Sequence, residues 1–528
     1  MIYGYINKKA VIVEKGELIL SVISRSGYVM DAPCGGKKRC GKCKVKASGI
    51  LSPISDKEKS LLTQEENETG IRLACFCSVE GDFNIDISSG AYEIEIGMRD
   101  KNIELLPYVD TSAFIKEHEN VIGIAVDIGT TTVAARFYNL LNGRHLFTRS
   151  AINAQKNFGA DVMSRIEYAI NKTDGNEVLH NTITMQLNNM FQEFFAQSGI
   201  SLNDIAEIVI AGNTTMELLA AGYSIKSLGS LPFIPDSLLD EYKDAASLGY
   251  NTPYAKIYFM PAVGGFFGGD AVSVMVAMDF DDKKPKFMVD IGTNGEMAIS
   301  LGGENAIYGC STAAGPAFEG ACIRFGTGSI EGAINRVILD DNENFKYKTI
   351  GNKPPVGICG SGLIDVTALS LKKGYLDETG RLDDVLPLFE GEFSLPLGED
   401  GIFVTQKDIR EIQLAKAAIC AGVKVIANSA SVNNKNSNAT EVNDIFIAGG
   451  FGTALNLENA KIIGLLPSEY CDRAITVGNA ALQGAIMCLL SKNYRQRAKA
   501  LVKKVILVDL SSDPMFQDEY VENMMFEV

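Results

Sequence analysis

The sequence predicts an α/β chain in two structured parts: a small N-terminal domain of strands with one short helix, then a duplicated α/β domain. Three observations carry this. The first 90 residues hold the stretch CGGKKRCGKC at 34–43, preceded by a helical segment and followed by alternating strands. From residue 120 onward, three sequence segments recur in pairs and in the same order. At 528 residues the chain is too long for one hydrophobic core, so two or three domains are expected.

The N-terminal loop admits three readings. Gly36, Gly41 and Lys42 fit the G-x-x-x-x-G-K start of a phosphate loop, but the next residue should be a Ser or Thr that holds Mg²⁺. Here it is Cys43, whose soft sulfur suits that ion badly. A structural zinc site pairs two C-x₂₋₄-C knuckles. Cys40 and Cys43 make one; Cys75 and Cys77, one residue apart, make a poor second, and Cys34 is left over. The third reading takes Cys34, Cys40, Cys43 and Cys75 as C-x₅-C-x₂-C…C, one residue longer in its first gap than the plant-type [2Fe–2S] spacing. Glycines suit a loop that wraps a cluster, because they accept positive φ and let backbone N–H groups approach the sulfurs. The segment EKGELILSVISRSG before the loop reads as a turn and an amphipathic helix, and KCKVKAS and DFNIDIS after it alternate as strands. The whole resembles a β-grasp ferredoxin domain over residues 1–90, with RLAC as its fourth-ligand segment and Cys77 outside the ligand set.

Composition narrows the function classes. The formal charge of −16 gives no basic face for nucleic acid. The start, MIYGYINKKA, lacks a charged segment followed by an apolar one, and no run of about 18 apolar residues is evident, so neither a signal peptide nor a membrane span is expected. Eleven cysteines in so long a chain point to reduced thiols and a cytoplasmic setting. Outside the N-terminal domain they stand singly and read as buried core residues. The three histidines, His118, His145 and His180, form no cluster, and no D-x-H-x-x-G cobalamin-binding segment occurs. Residues 91–119 are charged and weakly periodic and read as a polar, mobile linker.

The duplicated part reads as a first half over 120–282 and a second over 283–528, with an insertion at about 330–410. GIAVDIGTTTVAARFYN pairs with KFMVDIGTNGEMAIS: in each, an apolar strand runs into Asp-Ile-Gly-Thr and then a second strand. IVIAGNTTMELL pairs with IFIAGGFGTAL, a buried strand ending in a glycine-rich turn. VGGFFGGDAV pairs with VGNAALQGAI, each opening a helix with small residues. In the first turn Gly129, Thr130, Thr131 and Thr132 can cradle phosphate oxygens, and Asp127 at the strand end can hold Mg²⁺ through water. Asp290, Gly292, Thr293, Asn294 and Glu296 repeat the device. Gly212, Asn213 and Thr214, Gly315, and Gly449, Gly450 and Gly452 complete the candidate nucleotide contacts, the last three by letting backbone lie against an adenosine. Two such loops facing each other form a clamp for ATP. Asp127, Asp290 and Glu296 are the candidates for metal binding and water orientation.

This duplicated arrangement resembles the acetate and sugar kinase, Hsp70 and actin superfamily, with its ribonuclease H-like halves. Within it, AGNTTM, DIGTNGE, AAGPAFEGACI, GICGSGLID and GGFGTALNLENAKIIGLLP, together with the ferredoxin domain, resemble the reductive activators of corrinoid proteins. The resemblance implies an ATP-dependent enzyme that returns one electron to a corrinoid protein of a methyltransferase system, converting Co(II) to Co(I). It implies a [2Fe–2S] cluster, ATP and Mg²⁺ as cofactors and a low-potential electron donor. A homodimer is compatible with it; a nucleic acid or a membrane is not expected as a partner. A redox-regulated small-molecule kinase would need a substrate-specific base, and none is identifiable. An activator of 2-hydroxyacyl-CoA dehydratases would lack this ferredoxin. An actin-like or chaperone module would leave the cysteines without purpose.

Overall fold

The computed structural model describes residues 2–26, 30, 32, 36–39, 41–87, 103–303, 305–389, 391–398, 400–433, 439–450 and 454–526. Cys34, Cys40 and Gly452 lie outside these residues.

The N-terminal domain is a five-stranded sheet crossed by one helix. Its strands are β1 (Ile2–Ile6), β2 (Lys9–Val13), β3 (Lys44–Leu51), β4 (Ile71–Leu73) and β5 (Val79–Asp86), in the order β2-β1-β5-β3-β4. β1 pairs parallel with β5 and the other neighbours are antiparallel, the mixed topology of a β-grasp. In β5 the alternation decides the faces: Val79, Phe83 and Ile85 are buried while Asp82, Asn84 and Asp86 are exposed. The helix Ile19–Arg25 turns Ile19, Leu20, Val22 and Ile23 onto the sheet, and Arg25 reaches back to Glu17 at 2.8 and 2.9 Å.

The two halves repeat one topology. The first has β6 (Ile122–Ile128), β7 (Thr132–Asn139), β8 (His145–Ile152), β9 (Ile205–Gly212), β10 (Glu241–Asp244) and β11 (Lys256–Phe259), ordered β10-β11-β9-β6-β7-β8. The second begins with β12 (Lys286–Ile291), β13 (Gly295–Ser300) and β14 (Ile307–Thr312). Then come β15 (Ala333–Leu339), β16 (Phe345–Thr349), β17 (Gly357–Ile358), β18 (Leu388–Phe389), β19 (Glu392–Pro396) and β20 (Phe403–Thr405), which form two small sheets in the stretch read as an insertion. The main sheet closes with β21 (Asp444–Ala448), β22 (Ala474–Gly478) and β23 (Val505–Leu507), ordered β22-β21-β12-β13-β14-β23. In both halves an antiparallel three-strand meander, β6-β7-β8 or β12-β13-β14, is extended by a parallel strand, β9 or β21. β6 and β12 are central and buried on both faces, which explains their continuous apolar runs.

Two helices cross between the sheets, Gly269–Ala277 and Ala480–Leu490, and both are buried along their length. Gly484 allows the close approach: a Cβ there would stand 2.1 Å from the Ser273 carbonyl oxygen. The helix Gln406–Asn433 is long and apolar enough to cross a membrane by length and composition, although no apolar run stands out in the sequence; 72% of its apolar window is buried. It is a core helix of the second half.

The linker differs from its reading as polar and mobile. Its described part, 103–119, is fastened to the ATPase: the Leu106 N–H donates to Leu490 O and Lys492 N–H donates to Leu106 O, both at 2.8 Å. Tyr108 stacks on Tyr242 at 4.6 Å between centroids. Ile103, Leu105, Val109 and Phe114 find apolar partners on distant elements, which no local periodicity reveals. The N-terminal domain is docked as well. Asn157 of the first half donates to Ser24 at 3.0 Å, and Lys42 donates to the Gly320 and Ile323 carbonyls of the second half at 2.9 and 2.8 Å.

Candidate functional site

Each repeated Asp-Ile-Gly-Thr segment becomes a tight hairpin turn between two central strands. The Gly129 N–H donates to Thr132 O at 2.9 Å, and the Gly292 N–H donates to Asn294 O at 2.9 Å. A Cβ at Gly129 would lie 2.8 Å from Thr132 O, so the first turn needs glycine; at Gly292 it would meet nothing closer than 3.6 Å. The second glycine therefore leaves open space above the turn. Both turns line one cavity between the halves, which brings together Asp127, Gly129, Thr130, Thr131, Thr132, Asn213, Asp290, Gly292, Thr293, Asn294, Glu296, Gly449 and Gly450.

The other three described candidates stand behind or apart from this lining. Gly212 ends β9, and a Cβ there would be 2.8 Å from Ile128 O. Thr214 is fully buried and donates to Gly264 O at 2.6 Å. Gly315 has φ +76° with open space where a Cβ would stand. Gly449, at φ +119°, packs so closely that a Cβ would sit 2.2 Å from Ile291 O, whereas Gly450 has nothing within 4 Å. The first holds the loop against the end of β12; the second offers a bare surface to the cavity.

The turns are held from behind. Asn153 donates from its side chain to Gly129 O at 2.8 Å and from its N–H to Thr131 O at 2.7 Å. Arg165 donates to Thr130 O and, at 3.0 Å, to Gly159 O. Burial lowers the Arg165 guanidinium to about 10, so a full positive charge sits behind the first turn at neutral pH. Asn213 caps the helix Thr214–Ala220 with its side-chain oxygen while its amide donates to Thr130 Oγ1 at 3.0 Å.

Four residues that matter here escaped the sequence reading. Asp270 lies in the first turn of the helix Gly269–Ala277, and Asn479 caps the helix Ala480–Leu490. Both helices start at the cavity, so their N-terminal N–H groups and dipoles favour an anion there. Glu319 accepts hydrogen bonds from Thr293 and Thr131, joining the two turns across the cleft. Glu217 accepts the Gly269 N–H at 3.0 Å and fixes the start of the Asp270 helix. An acid at a glycine-rich helix opening was the signal available for Asp270; Glu319 sits in AAGPAFEGACI, whose match suggested no role.

The carboxyl groups around the cavity hold their protons more tightly than usual. Burial pushes Asp127 up to about 6, partly offset by Asn479 donating to it at 2.7 Å. Asp270 is pushed up to about 7, chiefly by burial and further by Asp127. Asp290 rises to about 8 through burial, then Asp270, Asp127 and Glu319. Glu296 and Glu217 are raised well above the carboxylate range, first by burial and next by Asp270. Among the described residues no group of three His, Cys, Asp or Glu could hold a metal ion.

In the N-terminal domain, Cys43 and Cys75 are buried with their sulfurs 3.3 Å apart. A disulfide would need about 2.05 Å. Two thiolates on one tetrahedral metal with bonds of about 2.3 Å stand roughly 3.8 Å apart, about half an ångström more than is seen, so the observed separation lies between the two geometries and nearer the second. Gly36 and Gly41 have φ of +76° and +68°, so the loop uses the left-handed freedom of glycine at both places. Cys77 is buried, and its thiol is hydrogen-bonded with Ser52. Cys43 and Cys75 thus stand near enough together to share one metal of an iron–sulfur group.

Comparison with known proteins agrees with both parts. The family model described as the C-terminal domain of RACo, the ASKHA domain, matches residues 284–528, and the RACo middle region matches 122–283. The corrinoid activation enzyme RamQ of Eubacterium limosum is 30% identical over 97% of either chain. The [Co(II) methylated amine-specific corrinoid protein] reductase of Methanosarcina barkeri is 27% identical, covering 72% of each chain. A solved structure titled reductive activator for corrinoid, iron–sulfur protein superposes with a TM-score of 0.71 at 28% identity, covering 100% of this chain and 98% of its own. In the N-terminal region, a component of the Na⁺-translocating NADH-quinone reductase of Chlamydia muridarum is 32% identical over 75 residues, 14% of this chain and 17% of its own.

Proposed function

The chain belongs to the RACo family, and from that premise we propose how it works as an ATP-dependent reductive activator that returns a corrinoid protein from Co(II) to Co(I). The observation that carries the reading is the pair of mirrored turns facing one cavity with carboxylates between them.

ATP enters this cavity with its phosphates between the 129–132 and 292–294 turns and against the two helix N-termini. Asp127 and Asp290, at the ends of β6 and β12, would hold Mg²⁺ through its waters. Asp270, with an affinity for protons near neutrality, orients the attacking water and takes its proton. Glu296, paired with Asp290 across the β12–β13 hairpin, helps to position the metal's waters, and Glu319 ties the two turns so that they respond together. Gly450 offers bare backbone to the nucleoside, and Gly452 is assigned with it from the sequence. Cys34, Cys40, Cys43 and Cys75 would hold a [2Fe–2S] group, which when bound supplies a one-electron carrier. The sheet and the helix Ile19–Arg25 shield the Cys43 and Cys75 side of that group from water, and Gly36 and Gly41 give the loop the curvature to wrap it. The corrinoid belongs to the partner, and a low-potential donor reloads the N-terminal domain. Cysteine usage supports a reducing cytoplasm as the setting.

The test mixes the purified protein with a Co(II) corrinoid protein, a low-potential reductant and ATP, and follows Co(I) absorption. ATP-dependent Co(I) formation with no phosphorylated small molecule is expected. ATP turnover that leaves Co(II) unchanged, or that phosphorylates a metabolite, would overturn the reading.

A further inference from the structure

The N-terminal domain rests on both halves of the ATPase at once. On the first half, Asn157 donates to Ser24 Oγ at 3.0 Å and accepts the Met30 N–H at 3.2 Å, and Glu167 pairs with Lys37 at 2.8 Å. On the second half, the carbonyls of Gly320 and Ile323 receive Lys42. Lys37 and Lys42 belong to the glycine-rich loop at 34–43, and Lys42 is next to Cys43.

Each footing is joined directly to the phosphate turns. Asn157 ends the 3₁₀ turn Ala154–Asn157, and Asn153, which precedes that turn and caps it, holds the Gly129 and Thr131 carbonyls. Glu167 lies on the helix Val162–Asn171, which also carries Arg165, the residue holding Thr130 O. Gly320 follows Glu319, which receives Thr131 and Thr293. The segment 320–326 is closed on itself: a Cβ at Gly320 would stand 2.3 Å from the Thr327 nitrogen.

A packed domain that touches two halves across their cleft cannot keep both sets of contacts when the halves rotate. We propose that the N-terminal domain is a nucleotide-sensitive clasp. In one cleft state it bridges the halves through Asn157, Lys37 and Lys42. When nucleotide changes the angle between the halves it loses one footing, and the face that Lys37 and Lys42 had turned to the ATPase is released to meet a redox partner. The inference rests on the reading of the cleft as an ATP site. A polar, mobile linker, as read from the sequence, would give nucleotide no direct purchase on the N-terminal domain; the footings supply a physical connection of only a few residues. Linkage makes the effect reciprocal: if nucleotide weakens the clasp, the clasp weakens nucleotide binding by the same factor.

The experiment uses the full-length, cluster-loaded protein. Hydrogen–deuterium exchange is followed in 153–171 and 319–327 with and without a saturating non-hydrolysable Mg–ATP analogue, with occupancy checked by calorimetry. Exchange at one footing should change with nucleotide. Lys42→Ala and Asn157→Ala should each shift the analogue's Kd in the same direction, by about fivefold or more. Asn157 and Glu167 are remote from the cysteines in sequence, so Asn157→Ala and Glu167→Gln keep the test sound if Lys42→Ala disturbs the cluster spectrum. Unchanged exchange at both footings with the site calorimetrically full, or variant Kd values equal to the parent's, would overturn the clasp. Absence of any binding heat would overturn the cleft assignment itself, and the clasp with it.

Discussion

Asp290 offers a test of how the cleft handles charge. It lies half-buried at the end of β12, and desolvation with three neighbouring carboxylates raises it to about 8. An ion that must meet it as a carboxylate has to displace a proton at neutral pH. The apparent affinity for Mg–nucleotide is then divided by one plus the ratio of protonated to ionised Asp290. With a value of about 8, that divisor is about 2 at pH 8, about 11 at pH 7 and about 100 at pH 6. Affinity should therefore fall about fifty-fold from pH 8 to pH 6, or roughly 2.3 kcal/mol, through this residue alone. The direction is set by the sign of the shift: a raised carboxylate binds its proton through the range where the ligand needs it gone. Calorimetric titration with a non-hydrolysable Mg–ATP analogue at pH 6, 7 and 8 measures the effect. Asp290→Asn, run in parallel, removes the titration, so the nucleotide's own protonation cancels in the comparison. The variant should bind more weakly at pH 8 and show a much flatter profile. Equal pH slopes in parent and variant would refute the assignment of Asp290 to the metal.

Further outcomes are expected. Without nucleotide, the raised values of Asp127, Asp270 and Asp290 mean that the folded protein holds more protons than the unfolded chain from about pH 4 to pH 8, so its stability should decline as pH rises through that window and Mg–nucleotide should restore it; thermal melts at pH 5.5 and 8 check this. Gly449→Ala should lower stability by about 2–4 kcal/mol in denaturant titrations, because it combines a positive φ with a clash against Ile291 O, whereas Gly450→Ala should melt like the parent yet bind nucleotide more weakly. Single Cys→Ser changes at 34, 40, 43 and 75 should each lower iron content or alter the EPR signal, and Cys77→Ser should leave both near normal; loss of iron with Cys77→Ser but not with Cys75→Ser would reverse the ligand assignment.

Covalent order and local period reached far in this chain. The paired Asp-Ile-Gly-Thr segments fixed the position of both turns, because a buried strand, a glycine and a return strand are neighbours in sequence and form one hairpin. The alternation in DFNIDIS marked the inward face of β5 for the same reason: the pleat has a period of two wherever the strand sits. The cysteine spacing likewise pointed to one small loop. What the sequence could not show is what meets across space. Asp270, Glu319 and Asn479 come from three separate segments, and they join Asp127 and Asp290 only because two six-stranded sheets pack about a pair of crossing helices. Their raised proton affinities are also products of packing, since burial and mutual repulsion exist only once the carboxylates share a cavity. The apolar residues at 103–119 read as linker because their partners lie hundreds of residues away at 490–492. Lys42 is the sharpest case. In sequence it stands in a motif that half-matches a phosphate loop; in the fold its ammonium lies against the Gly320 and Ile323 carbonyls, a contact that depends on the docking of one domain upon another and leaves no trace in any local pattern.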